Sequence, residues 1–365
     1  MSDHSDGQHT TWKVGWGVTA RCNMQCSFCY SRAARSAARD APLPVLKAFV
    51  DANHACIASI NYGTGENTLA PVWFDLLQYV HAQYPHIGQA LTTNGYLAPA
   101  LERRADREQV LAALAEVDVS LDFCDAGRHN AWRGHPQAHT WAVRTIGLCR
   151  QAGIRTTIVV LGHDETLAVE NLERIFDYAA ALGCFVRINI LRPSGDLTLG
   201  PLSYAGLQRA LDYALGRHRV VALSDPLFAA LVLGERVEDA SGRTSLRILP
   251  DGAITPSTYL VTSEWQRGHI STARLATEAF ARALAVDSVP GILPAACEGC
   301  EVVVQCGGGA LDRRVLWYRT LHERDPYCPY RHGETPADWR PVGIPRRASG
   351  PRIHDGYLPT LIFAP

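Results

Sequence analysis

From Trp12 onward, short apolar runs of strand type alternate with longer runs of helical period, and this alternation constrains the fold more than any other feature. It predicts strands near 13–19, 57–62, 88–93, 117–122, 154–160 and 185–190. It predicts helices near 43–55, 71–83, 98–115, 138–152 and 167–182. Successive βα units imply a parallel sheet with right-handed crossovers. We therefore expect an α/β fold, a partial (β/α)6 barrel with its active site at the carboxyl ends of the strands.

Changes in composition divide the chain into five expected segments. Asp251-Gly252 lies between alternating apolar residues, which is a strong signal for a β-hairpin beyond the barrel. Residues 297–328 are rich in cysteine and glycine, and the residues after them hold many prolines without periodicity. We expect a disordered N-terminus over 1–11, the partial barrel over 12–200, a helical bridge over 201–238, a small cysteine-rich domain over 239–330 and an extended tail over 331–365.

Charge and hydropathy exclude several classes of partner. The net charge of −1 gives no electrostatic reason to expect binding to nucleic acid or to an anionic membrane. No apolar stretch reaches the roughly 18 to 20 residues that span a bilayer, and the polar start MSDHSDGQHT is not a signal peptide. We therefore expect a cytoplasmic protein. Because reducing compartments keep thiols free, the eleven cysteines are not expected to form disulfides, and metal ligation is the better default for them.

Three cysteines follow the first predicted strand at the spacing Cys-x3-Cys-x2-Cys: Cys22, Cys26 and Cys29. A [4Fe–4S] cluster usually takes four thiolates, so three ligands leave one iron open to an external group. Zinc is the alternative, but a structural zinc ion normally takes four protein ligands. A disulfide fits the spacing less well still. The run therefore predicts an iron–sulfur cluster with one reactive iron.

With Phe28 before the last cysteine and Tyr30 after it, this run resembles the cysteine motif of the radical S-adenosylmethionine (radical SAM) superfamily. The resemblance implies that the open iron chelates the amino and carboxylate groups of S-adenosylmethionine (AdoMet). Electron transfer from the cluster then yields a 5′-deoxyadenosyl radical that removes hydrogen from unactivated carbon. The resemblance also implies an electron donor of flavodoxin or ferredoxin type.

Two predicted strands are followed by segments that resemble AdoMet-binding segments of the superfamily. Gly65 and Glu66 resemble its Gly-Gly-Glu segment, although Thr64 replaces the first glycine. The resemblance implies that Gly65 and Glu66 meet the methionyl ammonium of AdoMet. Thr93 and Asn94 match the segment after the third strand. A simple turn, or turn capping by Thr93 and Asn94, is the alternative.

Strands four and six carry polar residues that would face the same ligand. Ser120 and Asp122 lie two residues apart, hence on one side of a strand, where the resemblance implies the AdoMet ribose. Arg187 and Asn189 alternate with apolar residues, and an unpaired buried polar group costs about 1–3 kcal/mol, so AdoMet or substrate would satisfy them. Capping by Asp122 and an internal salt bridge of Arg187 are the alternatives. Tyr30 completes the implied AdoMet contacts.

The C-terminal cysteines resemble the SPASM extension of radical SAM enzymes, which commonly holds two further [4Fe–4S] clusters. One complete ligand set is present: Cys297, Cys300, Cys306 and Cys328. The positions of the second set hold other residues: Ala240 and Ser241, Ser257, and Ala310. The resemblance therefore implies two [4Fe–4S] clusters in all, one catalytic and one auxiliary. Zinc bound by the four thiolates is the alternative.

The candidate catalytic residues are Cys124, Asp125 and His129. If strand four continues, Cys124 points to the same side as Asp122 and could return a hydrogen atom to a substrate radical, with buried packing as its alternative. Asp125 and His129 are candidate bases, together with Glu66. The remaining cysteines are expected to pack in the interior: Cys56, Cys149 and Cys184.

The expected substrate is a small polar metabolite. Only 21 residues precede Cys22, whereas many peptide-modifying members of the family carry a longer recognition segment. The nearest analogues are radical SAM dehydrogenases and epimerases of aminoglycoside and aminocyclitol pathways in antibiotic biosynthesis. We expect an oxidoreductase that converts a secondary alcohol to a ketone, with the auxiliary cluster as electron acceptor. Epimerisation with Cys124 as hydrogen donor ranks second, modification of a ribosomal peptide third and an inactive iron–sulfur scaffold fourth.

Overall fold

The computed structural model describes residues 11–32, 35, 39–193, 199–286, 293–335, 339–343 and 352–364. Apart from Thr11, the segment expected to be disordered lies outside these ranges. Within them, no helix combines the length and the apolar character needed to cross a bilayer.

Six parallel strands form the centre of the fold: β1 (Trp12–Trp16), β2 (Ile57–Tyr62), β3 (Gly88–Thr93), β4 (Glu116–Ser120), β5 (Arg155–Gly162) and β6 (Phe185–Ile190). Each pairs with the next in the order of the chain, which confirms the expected partial barrel. Apolar side chains such as Trp12, Trp16 and Trp73 are fully buried and supply the core.

Helices connect these strands: α1 (Leu43–Asn53), α2 (Pro71–Gln83), α3 (Leu97–Leu101), α4 (Arg107–Ala112), α5 (Ala126–Arg133), α6 (Ala138–Gln151) and α7 (Val169–Leu182). The single helix predicted over 98–115 is wrong, because the chain breaks into α3 and α4. Between them the Asp106 carboxylate accepts from Arg104 at 2.8 Å and from Gln78 at 2.6 Å, which favours a turn over a continuous helix. The sequence analysis missed α5, which begins after the capping residue Asp125 and ends at the left-handed Gly134.

Further elements extend both edges of the barrel sheet: α8 (Tyr204–Arg217), β7 (Arg219–Leu223), α9 (Pro226–Leu233), β8 (Ser245–Ile248), β9 (Ala253–Thr255), β10 (Gly268–His269), α10 (Glu278–Leu284), α11 (Val303–Cys306), α12 (Leu311–Tyr318) and β11 (Leu361–Ala364). The strand order is β10-β9-β8-β1-β2-β3-β4-β5-β6-β11-β7. The hairpin expected at Asp251-Gly252 joins β8 to β9, and Gly252 has the positive φ of 93° that such a turn requires.

One described stretch of the expected tail, 352–364, packs against the barrel strands. Its last four described residues form β11, which pairs antiparallel with both β6 and β7. His354 Nδ1 lies 3.1 Å from Glu116 and 3.3 Å from Asp118 of β4. Gly15 of β1 makes room for Tyr357, because a Cβ at Gly15 would lie 1.5 Å from the tyrosine hydroxyl. The tail therefore covers the sheet face that carries Gly15, Glu116 and Asp118.

Candidate active site

The three-cysteine loop follows β1 and rests on α5. Cys26 Sγ donates to the carbonyl of Arg133 at 3.5 Å. Phe28 stacks on Trp132 with ring centroids 5.0 Å apart, and the Arg133 guanidinium lies 5.1 Å from the Phe28 ring. Helix α5, which the periodicity did not reveal, thus determines where the cysteine loop lies.

The three thiols differ in how easily they ionise. Burial opposes ionisation of Cys29, but hydrogen bonds from Ser31 and Arg35, each at 3.5 Å, lower its pKa. Burial raises the pKa of Cys22 to about 11 and also raises the pKa of Cys26. Because thiolates are the form that binds iron, the surroundings of Cys29 favour ligation most directly.

Glu66 joins the segments after β2 and β3. Its fully buried carboxylate accepts from the Thr68 hydroxyl at 2.6 Å, the Thr93 hydroxyl at 2.9 Å and the Asn94 backbone N–H at 2.8 Å. Burial raises the pKa of Glu66, against these hydrogen bonds. With its oxygens engaged by the protein, Glu66 shapes the site and has little capacity left to serve as a base.

The same two segments reach the cysteine loop. Gly65 has a φ of 66°, and a Cβ there would lie 2.6 Å from the Arg21 carbonyl, so only glycine fits. Asn94 Nδ2 donates to Asn23 at 2.7 Å and to Cys22 Sγ at 3.8 Å. Predicted AdoMet-contacting residues from separate strand ends therefore meet beside Cys22.

Asp122 is fully buried and paired. Its Oδ2 accepts from Arg133 at 2.6 and 2.7 Å, and its Oδ1 accepts from the Leu161 backbone N–H at 2.9 Å. Both carboxylate oxygens are therefore bound by protein. Ser120 ends β4, and its side chain is half-buried.

On β6, Arg187 pairs with Asp118 at 2.5 Å, so the internal salt bridge considered as its alternative is present. The pairing is incomplete. Arg187 Nε and Asn189 Oδ1 are buried and have no hydrogen-bond partner. These two atoms keep hydrogen-bonding capacity for a ligand.

The structure does not bring the candidate catalytic residues to one point. Asp125 caps α5 by accepting from the Arg128 N–H at 2.7 Å. His129 is fully buried and accepts from the Asp122 N–H at 3.2 Å, and burial lowers its pKa to about 2, which makes it a weak base. Cys124 Sγ donates to the carbonyl of Arg174 in α7 at 3.4 Å. The condition under which Cys124 would share the orientation of Asp122 is not met, because β4 ends at residue 120.

The second cysteine set lines one small cavity: Cys297, Cys300, Cys306 and Cys328. Burial raises the pKa of Cys306 to about 12 and raises the pKa of Cys297 and Cys328. Beside this cavity the fully buried Arg313 binds Asp225 at 2.6 Å and Asp325, the latter three residues before Cys328.

Polar contacts occupy the positions where the second auxiliary ligand set is missing. Ser257 donates to Asp312 at 3.3 Å, and Asp312 also binds Arg192 at 3.3 Å. The Asp239 carboxylate accepts from the Ser241 N–H at 2.9 Å. Buried polar contacts therefore lie at the positions where the resemblance would place the second set of ligands.

In the described ranges, no three His, Cys, Asp or Glu side chains stand together as ligands of a single metal ion. Each thiolate of a [4Fe–4S] cluster binds a different iron, so its cysteines must surround a space rather than converge on one point. The four C-terminal thiols line one cavity and so meet that requirement.

Two residues of this region, Arg247 and Tyr357, were not predicted from the sequence. Arg247 is 1% exposed and donates to the Gly63 carbonyl, to Thr64 Oγ1 and, at 3.0 Å, to Tyr357 Oη. A single arginine in the apolar strand SLRI was an available signal for the first residue. No sequence pattern in the tail distinguishes Tyr357 from its neighbours.

Residues 16–179 match the Radical SAM superfamily. The match begins at the end of β1, includes the three-cysteine loop and ends within α7. Residues 16–179 therefore form a radical SAM domain, and enzymes of the radical SAM superfamily bind AdoMet and a [4Fe–4S] cluster.

Two curated relatives were compared by sequence. Mycofactocin maturase MftC of Mycobacterium tuberculosis is 26% identical over 353 residues, which covers 91% of this chain and 86% of the relative. The AdoMet-dependent heme synthase of Nitratidesulfovibrio vulgaris is 26% identical over 199 residues, which covers 52% of this chain and 51% of that protein.

Two solved structures share the fold. Streptococcus suis SuiB bound to the precursor peptide SuiA superimposes with a TM-score of 0.66 at 15% identity, over 87% of this chain and 76% of SuiB. The AdoMet-bound anSMEcpe superimposes with a TM-score of 0.67 at 16% identity, over 87% of this chain and 90% of that chain. At such identities the likeness shows the radical SAM fold alone.

Proposed function

We propose that this radical SAM enzyme modifies a peptide. The observation that carries the proposal is the likeness to the maturase MftC, which extends over 91% of the chain rather than over the barrel alone. Among structures of the same fold, SuiB was solved with its precursor peptide SuiA, and anSMEcpe with the peptide Cp18Cys. These relatives favour the third-ranked expectation from the sequence over an aminoglycoside-like metabolite.

We assign the catalytic cluster to Cys22, Cys26 and Cys29, with AdoMet beside them. When bound, the cluster and AdoMet together supply a 5′-deoxyadenosyl radical, which removes hydrogen from carbon. The protein holds the segments around this site in place. Asn94 bridges the cysteine loop and the end of β3, and Glu66 fixes the loop after β2. Arg187 Nε and Asn189 Oδ1, the unpaired atoms of β6, are the polar groups proposed to meet AdoMet or substrate.

The proposed auxiliary site is a single [4Fe–4S] cluster at the C-terminal cysteine cavity. Its support is the shared cavity and the replacement of the second ligand set by the contacts of Ser257, Asp312 and Arg192. Iron analysis of the reconstituted protein should give about eight irons per chain. A value near four together with bound zinc would contradict the auxiliary cluster.

The decisive experiment tests the peptide substrate. The anaerobically reconstituted enzyme is incubated with AdoMet, dithionite and the short peptides encoded beside its gene, and a parallel reaction uses flavodoxin, the expected electron donor. We expect 5′-deoxyadenosine together with a mass change in one peptide. The matched control replaces Cys22, Cys26 and Cys29 by alanine and should give neither product. If every peptide stays unmodified while an aminocyclitol alcohol becomes a ketone, the proposal is wrong.

A further inference from the structure

Arg247 of β8 connects four parts of the molecule that are distant in sequence. Its Nη2 donates to the Gly63 carbonyl and to Thr64 Oγ1 after β2, and its Nη1 donates to Tyr357 Oη of the tail at 3.0 Å. Thr64 Oγ1 also lies 3.2 Å from Tyr30 Oη, directly after the cysteine loop. One buried guanidinium thus lies between the cysteine loop, the loop after β2, the hairpin and the tail.

The hydrogen-bond partners of the buried Arg247 guanidinium are uncharged: two hydroxyl groups and a backbone carbonyl. Among the described residues no carboxylate pairs with Arg247, and its Nε has no hydrogen-bond partner. A buried charge is tolerated only when hydrogen bonds compensate for the lost water. The Tyr357 hydroxyl supplies one of these contacts and is itself fixed by Thr258 Oγ1 at 2.8 Å.

The backbone of Thr64, which Arg247 contacts, is strained. Thr64 has a φ of 76°, a left-handed conformation that a β-branched residue rarely adopts. Such a conformation persists only where the surroundings enforce it. The contacts of the Thr64 hydroxyl with Arg247 and Tyr30 do so, and they hold the backbone immediately before Gly65 and Glu66.

The tail is anchored on both sides of Tyr357. His354 contacts Glu116 and Asp118, the Lys13 ammonium donates to the Asp355 carbonyl, and residues 361–364 form β11. Gly15 leaves the space that the Tyr357 hydroxyl fills. The hydroxyl is therefore held at a defined place beside the guanidinium.

We infer that the tail segment 352–364 is part of the AdoMet-binding apparatus, with Tyr357 and Arg247 as positioning residues. Tyr357 orients Arg247, and Arg247 holds Gly63 and Thr64 in the conformation that presents Gly65 and Glu66 beside the cysteine loop. The inference rests on AdoMet binding at this site, and it does not depend on whether the substrate is a peptide.

The test measures AdoMet affinity by equilibrium dialysis of the full-length, cluster-reconstituted protein. Tyr357→Phe should weaken AdoMet binding about tenfold, equal to about 1.4 kcal/mol. Arg247→Lys keeps the charge but lacks the forked donors and should lose at least as much. The matched control is Tyr84→Phe, which removes a surface hydroxyl bonded to Asp51 at 2.8 Å and should leave the affinity unchanged.

A double-mutant cycle separates positioning from general packing. Thr64→Gly removes the strained residue, so adding Tyr357→Phe to it should weaken AdoMet binding by no more than about twofold further. Hydrogen exchange of residues 63–66 should rise in Tyr357→Phe alone. Unchanged affinity in Tyr357→Phe, or fully multiplicative effects in the cycle, would overturn the inference and leave the radical chemistry intact. Failure of the wild-type protein to bind AdoMet would overturn both.

Discussion

The two cysteine sets differ in what surrounds their sulfur atoms. Around Cys29, hydrogen bonds from Ser31 and Arg35 lower the thiol pKa. In the same set, Cys22 accepts from Asn94, which follows β3, at 3.8 Å. Around Cys306, burial raises the thiol pKa to about 12 in a small enclosed cavity. The first set therefore has polar neighbours from other segments, and the second lines a small cavity.

The largest expected effect concerns the first set. Cys26→Ala should reduce 5′-deoxyadenosine formation below detection, because a cluster with two protein ligands cannot be held in the loop. The control is Cys56→Ala, which removes a buried thiol outside both sets. Product analysis by chromatography checks this result, and substantial AdoMet cleavage by Cys26→Ala would erase the distinction between the two sets.

The second set should respond differently to the same change. Cys306→Ala should lower the iron content below about eight per chain, because the auxiliary set loses one of its four thiolates. AdoMet cleavage under dithionite should persist, because the first set is untouched. Iron analysis and 5′-deoxyadenosine yield measure the two outcomes. If Cys306→Ala lost AdoMet cleavage together with iron, the two sets would have to act as one site.

Each set lies beside a buried ion pair, and breaking either should destabilise the fold. Asp122→Asn leaves Arg133 buried without its counter-charge, and Arg313→Met leaves Asp225 and Asp325 without theirs. Each should lower the free energy of unfolding by about 3–5 kcal/mol. Urea denaturation measures this change.

The matched control for these ion pairs is Arg282→Ala. It breaks an exposed pair with Glu278 and should cost less than about 0.5 kcal/mol. Equal effects in all three variants would mean that burial does not distinguish these pairs.

The smallest effect concerns aromatic support. Phe28→Leu removes the stack on Trp132 and should cost about 1 kcal/mol of stability together with part of the AdoMet cleavage. Trp317→Leu removes an edge contact with Tyr327 near the second set and should cost similar stability without affecting cleavage. Urea denaturation measures the stability of each variant, and product yield measures its AdoMet cleavage. A similar loss of cleavage in both variants would count against separate roles for the two regions.

The sequence predicted what depends on local pattern. Alternation within each segment placed the six barrel strands, and the Asp251-Gly252 pair placed the hairpin. Contacts between distant segments left no such pattern. Arg247 and Tyr357 are 110 residues apart, and the sequence around each residue does not indicate that the two are in contact. The condition set for Cys124, continuation of β4, is not met for a related reason, because the end of a strand depends on what packs against it.

The pairing of β1 with β8 has a consequence for synthesis of the chain. Lys13 is paired with Ser245, so β1 cannot complete its second edge until more than two hundred further residues have been made. At typical elongation rates that interval is on the order of 10 to 50 seconds. For that time the nascent strand WKVGW presents unpaired backbone groups and two tryptophans to other chains, a recognised route to aggregation. Expression of this protein should therefore gain from slower synthesis and from chaperones that cover the emerging barrel.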